Sequence, residues 1–535
     1  MKNKIIQSTL LLVAACCINA CKKQLNLTPP NTNTPDQQYS TAAGYKNGLA
    51  KVYGSYSLVS STGTGSSDIS VSGVSDPAET DFLRVFWNLQ ELTTDEGVCA
   101  WNDQYIQAFH NFNINSSNIY TASAYYRCLF TISVANEFIS QSSDAEIAKR
   151  GFTGENATNI RYYRQEARFI RAFQYWALMD LFGNPPFVTD NDPTGSYFFP
   201  KQTTRAALFT YIESELKTLD STMVPPHQNE YGRADQAAAD ALLARMYLNA
   251  QVYTGTARYA DAITYATKVI NDGYTLMTPY KKLFEADNNL NNPEVILPVC
   301  YDAVNSGNYG GTTFLVCSAH GTTPADDDSA GIPSGGWLGN RPTQNLPLIF
   351  GSYSTTADQR AMFGLGSLPI TDELNFSDGL DVTKFSGRNS DGSTPSSPNG
   401  TLVSTDFPLF RLAEMYLIYI ESVARGGGGQ SGTAVIYFNK LRDRAYGNTG
   451  SATNGEISSL PVLDTILAER QRELYWEGFR RTDLIRFGYF TSGSYLWPWK
   501  GGSSSGNGVD AHFNLFPIPT QDLQVNSNLK QNPGY

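Results

Sequence analysis

The chain runs to 535 residues, is 41% hydrophobic, and carries 39 basic against 50 acidic side chains for a net charge of −11. That is enough chain for one large body or several domains and enough apolar content for a sizeable core, while an acidic chain with no basic run argues against a nucleic-acid partner. Only 17% of residues are charged while aromatics make up 12%, so the surface relies on neutral hydrogen bonding and aromatic faces more than on charge.

Lys2 and Lys4 form a short basic start, and residues 5–18 are mostly apolar. That run is too short to span a bilayer and has the form of a secretory signal. Ile18-Asn19-Ala20-Cys21 resembles a bacterial lipobox, with Asn19 where Ala or Ser is more usual. The expectation is a signal peptide over 1–20, lipid on Cys21, and a flexible polar tether over 21–38, too poor in apolar residues to fold alone. No later run is long and apolar enough to cross a membrane. Cys16 and Cys17 leave with the signal, so Cys99, Cys128, Cys300 and Cys317 remain. Cys300 and Cys317 flank a Gly-rich stretch and are a possible disulfide in an oxidising compartment. No CxxC occurs, which argues against a zinc site.

Helical grammar then recurs along the chain. "YYRQEARFIRAFQYWALMDLFG" reads as a long helix ending at Gly183, followed by a second helix at "TRAALFTYIESELKTLD". "ADQAAADALLARMYLNAQ" is rich in strong helix formers, and after "VYTGTAR" the residues Tyr259, Ala262, Ile263, Ala266, Val269 and Ile270 mark one helix face, with Gly273 as its terminator. "LFRLAEMYLIYIESVARGGGG" and "TAVIYFNKLRDRAYG" form a third such pair. In each first helix Ala alternates with Tyr, Phe or Met, so small residues meet large ones at a close interface. The expected fold class is all-α dominated, with tetratricopeptide-like helix pairs in a right-handed superhelical scaffold. The pairs do not recur with a period of ~34 residues, so this is not a regular solenoid. Long irregular tracts at 60–77, 301–405 and 491–514 carry Tyr309, Trp337, Trp497 and Trp499. Such aromatics predict ordered surface structure, with short strands at "EVILPVCY" and "TTFLVC".

Three catalytic patterns fail on context. Gly502-Ser503-Ser504-Ser505-Gly506 spells GxSxG but sits in a Gly/Ser loop without the strand and helix a nucleophile elbow needs. Gly427 to Gly432 spells GxGxxG but follows a helix. Asp287-Asn288-Asn289-Leu290-Asn291 starts like a calcium loop yet lacks the glycine and the final acid; a looser structural calcium site there or at Asp326-Asp327-Asp328 stays open. His110, His227, His320 and His512 show no metal-ligand spacing, and no local sequence singles out a glycosidase carboxylate pair.

The most informative stretch is "ILAERQRELYWEGFRRTDLIRFG". Leu463, Ile466, Leu467 and Leu474 give a helix stripe, surrounded by Glu469, Arg470, Arg472, Glu473, Glu477, Arg480, Arg481, Asp483 and Arg486. Charges of both signs at i, i+3 and i+4 predict a structural network that satisfies itself. The stretch resembles a signature of the SusD/RagB family of Bacteroidetes outer-membrane lipoproteins. "LQELTTDEGVCAWND", "EARFIRAFQYWALMDLFGNPPF", "FPLFRLAEMYLIYIE" and the ending "LFPIPTQDLQVNSNLKQNPGY" resemble further family segments in the family's order.

The resemblance implies a helical body with a loop-rich face that binds a nutrient oligomer, a glycan in most members and a peptide in some. It implies a position over a SusC-like TonB-dependent transporter and no catalysis; a surface glycosidase is the competing class. The implied division is 39–300 for the N-terminal helical region, 301–405 for a loop-rich ligand face and 406–535 for the C-terminal region. Flat aromatics match sugar C–H faces, and amides, carboxylates and arginines match hydroxyls. On that chemistry the expected ligand contacts are Trp101, Asn102 and Asp103 in one loop, and Tyr309, Trp337, Asn340 and Arg341 in the other.

Overall fold

The computed structural model describes residues 34–193 and 198–535. The signal over 1–20, Cys21 and the first part of the expected tether lie outside the described residues. The tether reading ends too late: Pro35–Gln38 already form a helical turn, closed by a reciprocal Thr34–Gln37 capping box.

The N-terminal half is helical: α1 (Ala42–Ser57), α2 (Phe82–Glu91), α3 (Gln104–Asn111), α4 (Ile119–Gln141), α5 (Gly154–Phe182), α6 (Arg205–Leu219), α7 (Gln236–Leu248) and α8 (Tyr259–Asn271). The later half adds α9 (Gly311–Cys317), α10 (Pro324–Ala330), α11 (Leu412–Ala424), α12 (Ser431–Tyr446), α13 (Leu463–Leu474) and α14 (Arg480–Arg486), with a few shorter helical segments between them. The three expected helix pairs are present: α5 packs on α6, α7 on α8, and α11 on α12. They also stack between pairs, α8 lying against α11, so the core is continuous from the N-terminal to the C-terminal helices. The Ala-rich α7 is buried on all sides and lets its neighbours approach closely. Gly273 takes φ 96° just past the end of α8, the left-handed position where glycine carries no Cβ penalty.

Among the described residues six short strands pair antiparallel in three two-stranded ladders: β1 (Val98–Cys99) with β3 (Asn340–Arg341), β2 (Val295–Val299) with β6 (Phe407–Arg411), and β4 (Phe363–Ser367) with β5 (Gly379–Val382). "EVILPVCY" is a strand as expected. "TTFLVC" is not: it forms the buried helix α9, started by Asp81, whose carboxylate accepts from the Gly311 N–H at 2.9 Å. Its β-branched residues favour a strand locally, and tertiary packing overrides that preference. Cys300 and Cys317 are not joined; Cys300 is exposed, and Cys317 is buried at the end of α9 with its thiol directed at the Thr401 carbonyl.

The charged stretch on α13 and α14 is a structural network, but not chiefly the local one expected. Local pairs such as Arg472–Glu469 and Arg486–Asp483 exist. The stronger contacts reach far along the chain. Glu473 meets Arg360, Arg411 and Arg444 at 3.1, 2.6 and 2.5 Å, and all four side chains are almost completely buried. Burial pushes the Glu473 carboxyl up, yet the three guanidinium groups hold it well below the usual carboxylate range. Arg486 binds Glu421 at 2.7 Å, and Arg480 binds Asp95 at 2.6 Å.

This last pair joins two segments nearly 400 residues apart. "ELTTDEG" and "YWEG" close on one another: Glu96 accepts from the Trp476 N–H at 3.0 Å, Glu91 from the Gly478 N–H at 2.6 Å, and the Trp87 indole donates to the Trp476 carbonyl at 3.1 Å. The C-terminal segment is tied down similarly. Asn532 donates to the carbonyls of Phe182 and Phe516, so the last residues close over the end of α5.

Candidate functional site

The α2–β1 turn anchored by Asp95, Glu91 and Glu96 fixes where the chain emerges after β1, and Trp101 stands there. Its loop is sewn to the partner loop by backbone: the Ala100 N–H donates to the Gly339 carbonyl at 2.8 Å, and the Trp101 indole donates to the Leu338 carbonyl at 2.9 Å. Gly339 has φ 113°, and a Cβ there would lie 2.2 Å from the Trp101 indole nitrogen, so only glycine fits beneath the ring. Trp337, two residues earlier, is held by its own backbone. Its N–H donates to the Cys317 carbonyl at 2.6 Å, and the next N–H, of Leu338, to His320 at 2.9 Å.

Tyr309 completes the group. Its ring lies 6.3 Å from that of Trp337, tilted by 47°, and its hydroxyl accepts from Asn399 at 2.6 Å. The residues on either side are clamped by Asp81, which accepts from the Asn308 side-chain amide at 2.7 Å and from the Gly311 N–H. Trp101, Tyr309 and Trp337 are all half-buried, so each ring is fixed on one side and presents surface on the other. Tyr309 and Trp337 thus lie ring to ring, and the Trp101 indole is tied to the residue that follows Trp337.

A cation sits beneath this group. The Arg84 guanidinium, from α2, lies 4.9 Å from the Phe314 ring and 5.7 Å from Trp101, and pairs with the exposed Asp76 at 3.5 Å. Its Nε is buried with no partner among the described residues. Nothing in the sequence pattern marks Arg84, Asp76 or Phe314: they lie apart in the chain, and only the packing of α2 against α9 unites them.

The other expected contacts divide. Asn102 is exposed beside Trp101. Asp103 is occupied as a helix cap, accepting from the Tyr105 N–H at 2.8 Å and from the Tyr120 hydroxyl at 2.7 Å. Asn340 and Arg341 turn inward. Asn340 is buried and donates to Ser318 at 2.9 Å. Arg341, also buried, donates to the carbonyls of Glu373, Asn375 and Asp378 and so shapes the 373–378 loop. Their positions on β3, where both faces are covered, explain why polar residues next to Trp337 serve the fold.

The expected calcium positions are also engaged. Asp287 accepts from the Ser390 N–H and hydroxyl. Asp326 accepts from His320 Nδ1 at 2.8 Å and from the Gly321 N–H at 3.0 Å, and Asp327 from the Gly336 N–H. His320, Asp326 and Asp381 bring one donor atom each within 4.8 Å of one another. One imidazole with two carboxylates is not the all-oxygen set that calcium takes. Burial, then the Asp326 carboxylate, pushes Asp381 up to about 6.

Residues 359–535 match a family model described as SusD family, and residues 70–248 match one described as starch-binding associating with outer membrane. Starch-binding protein SusD from Bacteroides thetaiotaomicron is 35% identical across 100% of both chains. This chain belongs to the SusD family. A SusD-like protein, P2, from Formosa agariphila is 25% identical over 80% of this chain and 83% of its own. Among solved structures, a SusD homolog from Bacteroides thetaiotaomicron superposes with a TM-score of 0.72 at 19% identity, covering 95% of this chain and all of that one. A laminarin binding SusD-like protein gives 0.69 at 22% identity, covering 92% and 99%. Surface glycan-binding protein A from Bacteroides fluxus gives 0.69 at 21%, covering 92% and 100%. The helix-dominated, tetratricopeptide-like architecture is therefore the SusD architecture.

Proposed function

We propose that this protein captures a glycan on the outer face of the cell and passes it to a SusC-like TonB-dependent transporter without cleaving it. The observation that carries the reading is the set of half-buried aromatics Trp101, Tyr309 and Trp337: the Trp101 indole is bonded to the Leu338 carbonyl, Tyr309 lies ring to ring with Trp337, and Arg84 with Asp76 lies beside Trp101. Pyranose rings offer apolar C–H faces for such a surface, while their hydroxyls suit the exposed Asp76 carboxylate, which the buried Arg84 holds in place. Relatives that carry glucan-binding names support the choice of a glycan over a peptide. Membership of a family model described as associating with outer membrane supports the location, and the lipobox supports Cys21 as the lipid-bearing residue. The Cys21→Ser protein is expected in the soluble fraction.

The test is native electrophoresis in gels cast with starch or with laminarin, an α-glucan and a β-glucan, alongside a reducing-end assay on the same mixtures. Retardation in at least one gel without new reducing ends is the expected result. Release of reducing ends by the purified chain would overturn the binding-only reading, and equal mobility in every glucan gel would overturn the choice of ligand.

A further inference from the structure

A second aromatic site lies away from the Trp101 group, between α13 and the loop that follows α14. It is a cavity of about 340 Å³ lined by Ile349, Asp464, Leu467, Gln471, Tyr489 and Tyr495 among others, within the ~300–1,000 Å³ range of small-ligand sites. Its wall is a tyrosine pair. The rings of Tyr489 and Tyr495 stack 5.2 Å apart at 26°, and both are half-buried. Each hydroxyl is pinned, Tyr489 to Asp464 at 2.9 Å and Tyr495 to Asp95 at 2.6 Å. Asp95 is the residue that binds Arg480, so the wall is built onto the same buried network that fixes the α2–β1 turn.

The decisive feature is Gln471. It is 3% exposed and lines the cavity, yet its amide nitrogen has no hydrogen-bond partner among the described residues. A buried donor left unpaired is costly to a fold, and a ligand hydroxyl in the cavity would satisfy it. Asp464 stands exposed at the rim as an acceptor, and Leu467 and Ile349 supply apolar floor. Among the described residues that line the cavity the one guanidinium, Arg480, is already held by Asp95, which disfavours an anionic ligand.

We infer that this cavity is a second subsite for one neutral sugar residue, stacked on the tyrosine pair and hydrogen-bonded by Gln471 and Asp464. The inference rests on the glycan-binding reading above. With two sites on one scaffold, a long polymer gains affinity through avidity that a short oligomer does not.

The experiment compares the mature chain with Tyr489→Ala and Gln471→Leu, each alone and in a Trp337→Ala background, using soluble starch, laminarin, maltoheptaose and laminarihexaose as probes. Wild type is expected to bind at least one glucan. Trp337→Ala is expected to keep a residual binding that Tyr489→Ala or Gln471→Leu removes, and each of the latter alone is expected to lower polymer affinity about three- to tenfold with less effect on the short oligomer. Because the amide nitrogen has no partner among the described residues, Gln471→Leu is expected to leave the melting temperature unchanged or raised. Lowered melting temperature with unchanged affinity would make Gln471 structural and overturn the proposal. Unchanged binding in both variants, in both backgrounds, would overturn the subsite while leaving the glycan reading intact. Wild type binding none of the four probes would overturn both.

Discussion

Trp337→Ala isolates the contribution of one ring. The loop around it is held by main-chain bonds to Cys317 and His320, so truncating the side chain removes the platform and leaves its mounting in place. A sugar covering half of the indole face would take about 100 Å² of apolar surface from water, counting both partners, which at ~25 cal/mol/Å² is about 2.5 kcal/mol, or about 70-fold in affinity. Trp337→Phe keeps a flat face of smaller area and is expected to lose only about one-third of that free energy, roughly fourfold. Calorimetric titration with the glucan that retards the protein in gels measures both, and thermal melting confirms the fold. Affinity of Trp337→Ala within twofold of wild type, at an unchanged melting temperature, would refute Trp337 as a stacking platform.

Further consequences follow from the same contacts. Gly339→Ala places a methyl group where the Trp101 ring lies and is expected to lower glycan affinity about tenfold or more through displacement of the indole, visible as a change in tryptophan emission before any ligand is added. Glu473→Ala leaves three buried guanidinium groups short of a carboxylate, a cost of about 3–5 kcal/mol; for a chain of this length that lowers the melting temperature by about 3–5 °C, and a shift below one degree would show that the network contributes little. Asp381→Asn tests the cluster with His320 and Asp326. Because burial raises the folded-state pKa of Asp381 from 3.8 to about 6, the folded protein binds that proton more tightly than the unfolded chain, so its contribution to stability falls as pH rises from about 4 to 6. Asparagine has no proton to lose, so its melting temperature is expected to gain on wild type across that window and run parallel above it; a constant difference from pH 4 to 7 would refute the assignment.

The helix pairs were legible because their periodicity is carried by long runs, as in Tyr259 to Ile270, where Tyr259, Ala262, Ile263, Ala266, Val269 and Ile270 fall at i, i+3, i+4, i+7, i+10 and i+11 on one face. Helix α9 was not, because Thr312, Thr313 and Val316 favour a strand locally and only Asp81, more than 200 residues away, starts the helix. The charged stretch on α13 and α14 declared itself structural, but its partners did not: i, i+3 and i+4 spacing pointed to neighbours, while Glu473 turns to Arg360, Arg411 and Arg444. At the candidate site the expected aromatics Trp101, Tyr309 and Trp337 keep some exposure, whereas two of their expected polar neighbours, Asn340 and Arg341, are buried. Adjacency in sequence to Trp337 says nothing about direction, and on a covered strand Asn340 and Arg341 both point inward.

That division has a physical cause. The segments with the strongest pattern, "ELTTDEG" and "YWEGFRR", are the two halves of one buried network, and their side chains are consumed by holding each other. The candidate ligand residues hang from that network at one remove: Trp101 six residues beyond Asp95, and Tyr495 bonded to Asp95 itself. The anchor can stay fixed while residues hung from it differ, which fits a relative named for starch and a similarly folded protein named for laminarin on one architecture. On this account, exchanging the 337–341 or 489–495 loop with that of a relative should change which glucan is retained, whereas altering Asp95 or Arg480 should weaken retention of every glucan together.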